Sequence, residues 1–567
     1  MGRSPRGQNA ISALLSALLL LCSLGLQASE QPGRSAIASA HPAATVAGRE
    51  TLALGGNAFD AAVAISAALA VVEPYGSGLG GGGFFLLRNA DATYAFIDAR
   101  ERAPAAAHAD LYRRDGQVQA ALSRNGALAA AIPGLPAALV MLAEQQGRLP
   151  LRDSLAPAIR LAREGFPVDR VYRERAHMRL AAMRDDAETA RLFLDDGAVP
   201  VEGTLLRQTE LADTLLALAR DGRNGFYAGP LAEQLVAGVR AAGGIWTLQD
   251  LADYRAVQRQ PIRVPLAEGR ELISAPPPSA GGLALAQSLL ILQRLPWREA
   301  EPVQRSHLVV ETLRRVYRDR GLLGDPDFVE SPTASLLNPD YLQRLSESID
   351  PQHATPSSEL PPAGTWKEGD HTTHFTVLDA DGNAVSATLS INLPFGAAFT
   401  VPGTGVLLND EMDDFAADLA GANAYGLTGS HANAIAAGKR PLSSMSPTFL
   451  ESASEFTSFG TPGGSRIPSM VLLSILQYLD GQPIEHWPAV PRYHHQYLPD
   501  VIEHEPDAFS AEQAAELQTR GYQLKNVERQ YGNQQVLRWN KFSGEVEAAS
   551  DPRGVGSSDV QPASPPQ

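Results

Sequence analysis

The chain has 567 residues, 44% hydrophobic and 19% charged, an ordinary globular composition with ample length for a sizeable core. Its formal net charge of −16 argues against nucleic acid or an anionic membrane surface as the main partner. The one cysteine, Cys22, leaves no intrachain disulfide to form.

Arg3 and Arg6 precede an apolar run over residues 11–26, and small residues follow at Ala28 and Ser29. This is the pattern of an export signal, shorter than the roughly 20 residues of a membrane span. Cleavage after Ala28 would make residues 1–28 a signal peptide and remove Cys22. Lipid attachment at Cys22 is the alternative, weakened by the bulky Leu21 before it. The mature protein is expected in the periplasm or outside the cell, and no later stretch is long and apolar enough to span a bilayer.

Residues 29–45 are small and polar and read as a loose leader. Residues 52–72 are Ala/Leu/Val-rich, with Gly55-Gly56-Asn57 as an opening turn, and predict a buried helix ending at Glu73-Pro74. Gly80 to Gly83 then lead into Phe84-Phe85-Leu86-Leu87, which suggests close backbone packing before a buried strand. A phosphate loop would need a lysine and a hydroxyl that are missing here. Residues 105–360 read mainly as helices with short turns, for example 211–220 and 284–295, the latter opened by the turn at 276–282. After Gly369 the texture changes to alternating strands with turn-rich segments. Residues 554–567 look like a disordered tail.

Residues 373–378 alternate as a strand, 379–383 cluster turn residues, and 384–391 return as a strand. Folding this hairpin about Asp381 sets Thr372 opposite Ser390, with Thr388 and Asn392 on the same face. A threonine hydroxyl needs a base beside it. Cutting the His371–Thr372 bond would supply one, an α-amine with a reference pKa of about 7.7–8.0 on the same residue.

Three further segments carry polar groups with no obvious core role. Arg100-Glu101 follows the strand 94–98, and an arginine fork suits a carboxylate. Residues 409–414 concentrate acids that suit an ammonium group, with calcium as the rival ligand. Ser443-Ser444 and Thr461-Pro462-Gly463-Gly464-Ser465 are turn-forming, and successive glycine N–H groups form the kind of nest an oxyanion needs.

Together these strings resemble the γ-glutamyltransferase (γ-glutamyltranspeptidase) family over residues 40–553. The resemblance is carried by residues 55–62, the glycine run, Asp98-Ala99-Arg100-Glu101, residues 276–282 and Gly324-Asp325-Pro326. It continues through Thr372-Thr373-His374, residues 382–385, 409–415, 440–447, 462–466 and 550–553. It implies an α+β N-terminal nucleophile hydrolase fold, a four-layer αββα sandwich made as a precursor. The large subunit would be residues 29–371 and the small one 372–567, intertwined as one heterodimeric fold with Thr372 as nucleophile.

By the same resemblance Arg100, Ser443 and Ser444 would hold a substrate α-carboxylate, and Asn392, Glu411 and Asp414 its α-amine. Gly463 and Gly464 would form the oxyanion hole, Thr388 and Ser390 would orient the nucleophile, and Tyr425 would belong to a lid. The implied substrates are glutathione and other γ-glutamyl compounds, with water, amino acids or peptides as acceptors and no cofactor or metal. A β-lactam (glutaryl or cephalosporin) acylase on the same fold is the nearest rival. An unprocessed extracellular binding protein is another.

Overall fold

Two antiparallel sheets face one another between helices, in a computed structural model that describes residues 31–360, 372–416 and 430–562. The first sheet has seven strands in the order Ser557–Pro562, Arg34–Ser39, Thr373–Leu378, Ala384–Ser390, Gly82–Arg88, Tyr94–Ala99 and Val257–Arg259. The second has six, in the order Val546–Ser550, Gln535–Asn540, Glu455–Gly460, Thr448–Glu451, Glu271–Ser274 and Ile262–Pro265. Helices Pro42–Ala53 and Ala58–Val72 cover the outer face of the first sheet. Helices Gly281–Leu292 and Ile467–Leu479 cover the second. This is the expected αββα sandwich.

Burial on both faces explains the unbroken apolar run 84–87. Phe85 and Leu87 join the core under the first helical layer, while Phe84 and Leu86 join the core between the sheets. Each such side chain contributes roughly 1.5–3 kcal/mol on burial. The glycines before the run allow backbone contact. A Cβ at Gly80 would stand 2.0 Å from the Leu407 carbonyl oxygen, and one at Gly81 2.2 Å from that of Ser390.

The central helix begins where the turn residues indicated. Asn57 accepts from the Asp60 backbone and Asp60 returns a bond to the Asn57 N–H, a reciprocal cap. The helix is Ala58–Val72, separated from Pro42–Ala53 by a turn in which Gly55 has φ 90°. The other named helices are Thr209–Asp221 and Gly281–Leu292.

Two expectations are overturned. The stretch read as a loose leader holds strand Arg34–Ser39 and the start of a helix at Pro42. The stretch read as a disordered tail holds strand Ser557–Pro562, which pairs with Arg34–Ser39. Both strands are poor in large apolar residues. They are held by ladder hydrogen bonds to the neighbouring strand rather than by their own hydrophobicity. The helical middle also contributes three short strands to the two sheets, at Val257–Arg259, Ile262–Pro265 and Glu271–Ser274. Residues 1–28, His371 and Tyr425 lie outside the described residues.

Candidate active site

The hairpin has the expected register. Thr373 pairs with Leu389 and His374 with Thr388, so the next pair outward is Thr372 with Ser390. On the following strands Ser390 pairs with Gly82 and Gly83 with Ala99, which carries the same row on to Arg100. Thr372, Ser390, Gly82 and Arg100 therefore stand in line across one end of the sheet. At about 4.8 Å per strand, Thr372 and Arg100 are roughly 14 Å apart along the backbone row. A side chain and a small substrate span that gap.

Arg100 is almost completely buried. One end of its guanidinium meets Glu411 Oε1 at 2.9 Å, the other meets Asp414, and Glu101 Oε2 is 3.7 Å away. Its Nε donates to the Pro441 carbonyl at 3.2 Å, and Nη2 donates to that of Leu442 at 3.4 Å. That anchors the chain just before Ser443-Ser444. The acids converge because Glu411–Asp414 is a single 3-10 turn, in which positions i and i+3 share a face. Asp413 points elsewhere, to Ser123 and Arg124, and Asp410 accepts from the Leu393 N–H. Of the acid run, Glu411 and Asp414 thus reach Arg100.

The cluster is charged and incompletely satisfied. Apart from their ion-pair contacts with Arg100, the oxygens of Glu101 and of Glu411 are buried without a well-formed hydrogen bond among the described residues, as are Asp414 Oδ1 and Ser444 Oγ. Buried polar groups are normally paired, so this concentration around one arginine marks a place built for a polar ligand. Burial raises the Glu101 carboxyl to about 8 against the pull of Arg100. It raises Glu411 and Asp414 as well, again opposed by Arg100. Arg320 was not foreseen. It is buried nearby and depressed to about 9 by desolvation, although Tyr317 and Asp414 favour its charge.

Around Thr372, Ser390 Oγ accepts from the Asn392 N–H at 2.8 Å, and Asn392 Nδ2 donates to the Asp410 carbonyl at 3.0 Å. Asn392 adopts φ 74°, which turns the chain from the strand towards the acid loop. Thr388 Oγ1 is 2.9 Å from His374 Nδ1, and burial lowers His374 to about 3, so that ring is neutral. Ser443 Oγ accepts from the Met445 N–H at 3.1 Å. Gly463 and Gly464 have φ 141° and 55°, and Gly463 shares with Thr372 the wall of a cavity of about 420 Å³.

Sequence reasoning missed what lies beneath Thr372. Thr373 Oγ1 donates to Glu73 Oε2 at 2.5 Å, and the Tyr75 hydroxyl donates to Glu73 Oε1 at 3.0 Å. Burial raises the Glu73 carboxyl, and the Thr373 bond opposes that rise. Glu73 had read as a mere helix end; an acid closing an otherwise apolar helix was the available signal.

Comparison with known proteins places the chain in a family. A family model described as gamma-glutamyltranspeptidase matches residues 44–560. The glutathione hydrolase proenzyme of Pseudomonas sp. (strain A14) is 39% identical over 531 residues, covering 91% of this chain and 92% of that one. The glutathione hydrolase proenzyme of Escherichia coli (strain K12) is 37% identical over 530 residues, covering 92% and 90%. Among solved structures, cephalosporin acylase from Bacillus halodurans matches with a TM-score of 0.82 at 27% identity, covering 94% of this chain and 96% of that one. A family match over residues 44–560, with relatives this similar over nine-tenths of the chain, means that the chain belongs to the gamma-glutamyltranspeptidase family.

Proposed function

We propose that the protein is a γ-glutamyltransferase and glutathione hydrolase that matures by cutting itself before Thr372. The observation that carries this reading is the row from Thr372 through Ser390 to Arg100, with Arg100 clasped by Glu411 and Asp414. An α-amino acid end brings one carboxylate and one ammonium. The guanidinium and Ser443-Ser444 suit the first, and Glu411, Asp414 and Asn392 suit the second. Selection of a free amino acid end is what directs cleavage to a γ-amide.

In maturation, Thr372 Oγ1 attacks the His371 carbonyl, the shift of the acyl group from nitrogen to oxygen frees the Thr372 α-amine, and water hydrolyses the ester to a His371 carboxylate and the free Thr372 hydroxyl. In turnover, Oγ1 attacks the γ-carbonyl of the donor while that amine takes the hydroxyl proton. The oxyanion is held by the N–H groups of Gly463 and Gly464. The proton passes to the leaving amine, and a γ-glutamyl ester remains on Thr372. Water then yields glutamate; an amino acid or peptide yields a new γ-glutamyl amide. Export to the periplasm or cell exterior is proposed from the pattern at residues 1–28. No described helix is long and apolar enough to cross a membrane.

The rival acylase reading gives the experiment. Glutaryl-anilide lacks only the α-amine of γ-glutamyl-anilide, so the parent enzyme should prefer the latter by orders of magnitude. Asp414→Ala should narrow that gap mainly by losing γ-glutamyl activity. An unchanged ratio in the mutant would mean that Asp414 does not read the amine.

A protonation test is independent of turnover. Burial raises the pKa of Glu101, to about 8, and also those of Glu411 and Asp414, so each keeps its proton to a higher pH than it would in water. Their contribution to stability is complete below the ordinary carboxyl value and is lost as pH rises through the raised one. An ammonium beside them favours the ionised forms. L-Glutamate binding at pH 7 should therefore release protons, read by calorimetry in two buffers of different ionisation enthalpy. Proton uptake would contradict this account.

A further inference from the structure

A hydrogen-bonded cluster behind Gly463-Gly464 takes no part in the chemistry above. The two glycines have φ 141° and 55°, so the direction of their N–H groups depends on how the chain on either side is held. Ser465, the next residue, is held at two points. Its hydroxyl donates to Gln496 Oε1 at 2.8 Å, and its carbonyl accepts from the Tyr317 hydroxyl. Gln496 Oε1 also lies 3.0 Å from His494 Nε2, and His494 Nδ1 lies 2.6 Å from Ser469 Oγ. Tyr317, His494 and Ser469 are almost completely buried, and the rings of Tyr317 and His494 meet edge to face at 5.2 Å.

One arrangement of protons satisfies this cluster. Gln496 Nε2 donates to the Leu498 carbonyl at 3.2 Å, which turns Oε1 towards Ser465 and His494. An amide oxygen only accepts, so His494 carries its proton on Nε2. Burial and the charge of Arg466 lower His494 to about 4, so its ring is neutral near pH 7 and Nδ1 accepts from Ser469. Both lone pairs of Gln496 Oε1 are then used. Through His494 and Ser469 the amide ties Ser465 to the first turn of helix Ile467–Leu479. Tyr317 belongs to helix Pro302–Arg320, before Thr372 in the chain, so Ser465 is gripped from both sides of the cleavage point.

We infer that Gln496 is a positioning residue for the oxyanion hole: through Ser465, with Tyr317 on the other side, it fixes the turn that aims the Gly463 and Gly464 N–H groups at the tetrahedral intermediate. This rests on the γ-glutamyl reading of the Thr372 site. Oxyanion donors stabilise a transition state only when they already point to where the charge develops, and two successive glycines have the most backbone freedom with which to lose that aim. Farther along the turn Arg466 pairs with Glu503 at 2.6 Å. The bond from Ser465 to Gln496 is the side-chain tether next to Gly464 itself.

The experiment measures kcat and KM for γ-glutamyl-para-nitroanilide per molecule of cut protein. It adds inhibition by L-glutamate and by its analogue with a tetrahedral phosphonate in place of the γ-carboxylate. Gln496→Leu should lower kcat about tenfold or more with KM little changed, where losing a whole oxyanion donor costs roughly 10²–10³-fold. It should also weaken the phosphonate relative to L-glutamate, because the tetrahedral anion copies the intermediate. A smaller amount of folded protein changes neither ratio. Gln496→Glu keeps an accepting oxygen and should recover part of the loss. Ser465→Ala and Tyr317→Phe each remove one grip on the turn and should lower kcat in the same way, so they carry the test if Gln496→Leu is not cut. Unchanged kcat in these variants, or equal weakening of both inhibitors, would overturn the positioning role. A parent that failed to cleave the γ-glutamyl anilide would instead overturn the underlying reading.

Discussion

Thr372→Ala should accumulate as one uncut chain with no measurable γ-glutamyl activity, where the parent protein gives two chains on a denaturing gel. In the proposed mechanism the substitution removes the hydroxyl that both opens the His371–Thr372 bond and attacks the donor. Deleting a nucleophile of this kind costs on the order of 10⁶-fold in turnover. The parent's two chains should still elute together under native conditions. Strand Thr373–Leu378 lies between Arg34–Ser39 and its hairpin partner Ala384–Ser390, which in turn pairs with Gly82–Arg88. The new terminus is therefore knitted into a sheet whose strands come from both chains, and no disulfide is needed. Thr372→Ser keeps hydroxyl and amine and should still be cut. N-terminal sequencing of the small chain decides the matter: a start anywhere but Thr372 removes the basis for the mechanism.

The hairpin was legible in the sequence because two period-2 runs flank one turn cluster, which leaves a single sensible register for Thr372 and Ser390. The apolar run 84–87 was legible for a similar reason, since hydrophobicity without alternation means burial on both faces. Strands Arg34–Ser39 and Ser557–Pro562 were illegible because Ala, Ser and Asp carry no such signal; each exists through its partner's backbone. The Arg100 cluster was half legible. Its members could be named from motifs, but their ion pairing and the split of the acid run depend on a 3-10 turn that composition does not reveal. Glu73 and Tyr75 come from the end of one helix and the turn after it. Only the fold brings them beside Thr372.

Arg100→Lys should raise the apparent KM for γ-glutamyl donors about tenfold to a hundredfold, while the protein is still cut into two chains. The guanidinium meets Glu411 with one nitrogen and Asp414 with the other, while its Nε donates to the Pro441 carbonyl. A lysine ammonium is a point charge that cannot keep all these contacts and also present a planar fork to a carboxylate. Losing one charged hydrogen bond is worth roughly 1.5–3 kcal/mol, which sets the expected range. Arg100→Met separates binding from folding. It leaves Glu101, Glu411 and Asp414 buried without their central cation, a change that costs roughly 3–5 kcal/mol for a broken buried pair. Those acids escape part of the cost by taking up protons, so the loss of thermal stability should be larger at pH 8 than at pH 5. A processed Arg100→Lys enzyme with unchanged KM would take the α-carboxylate away from Arg100. A pH-independent loss in Arg100→Met would mean that the acids are not held in check by its charge.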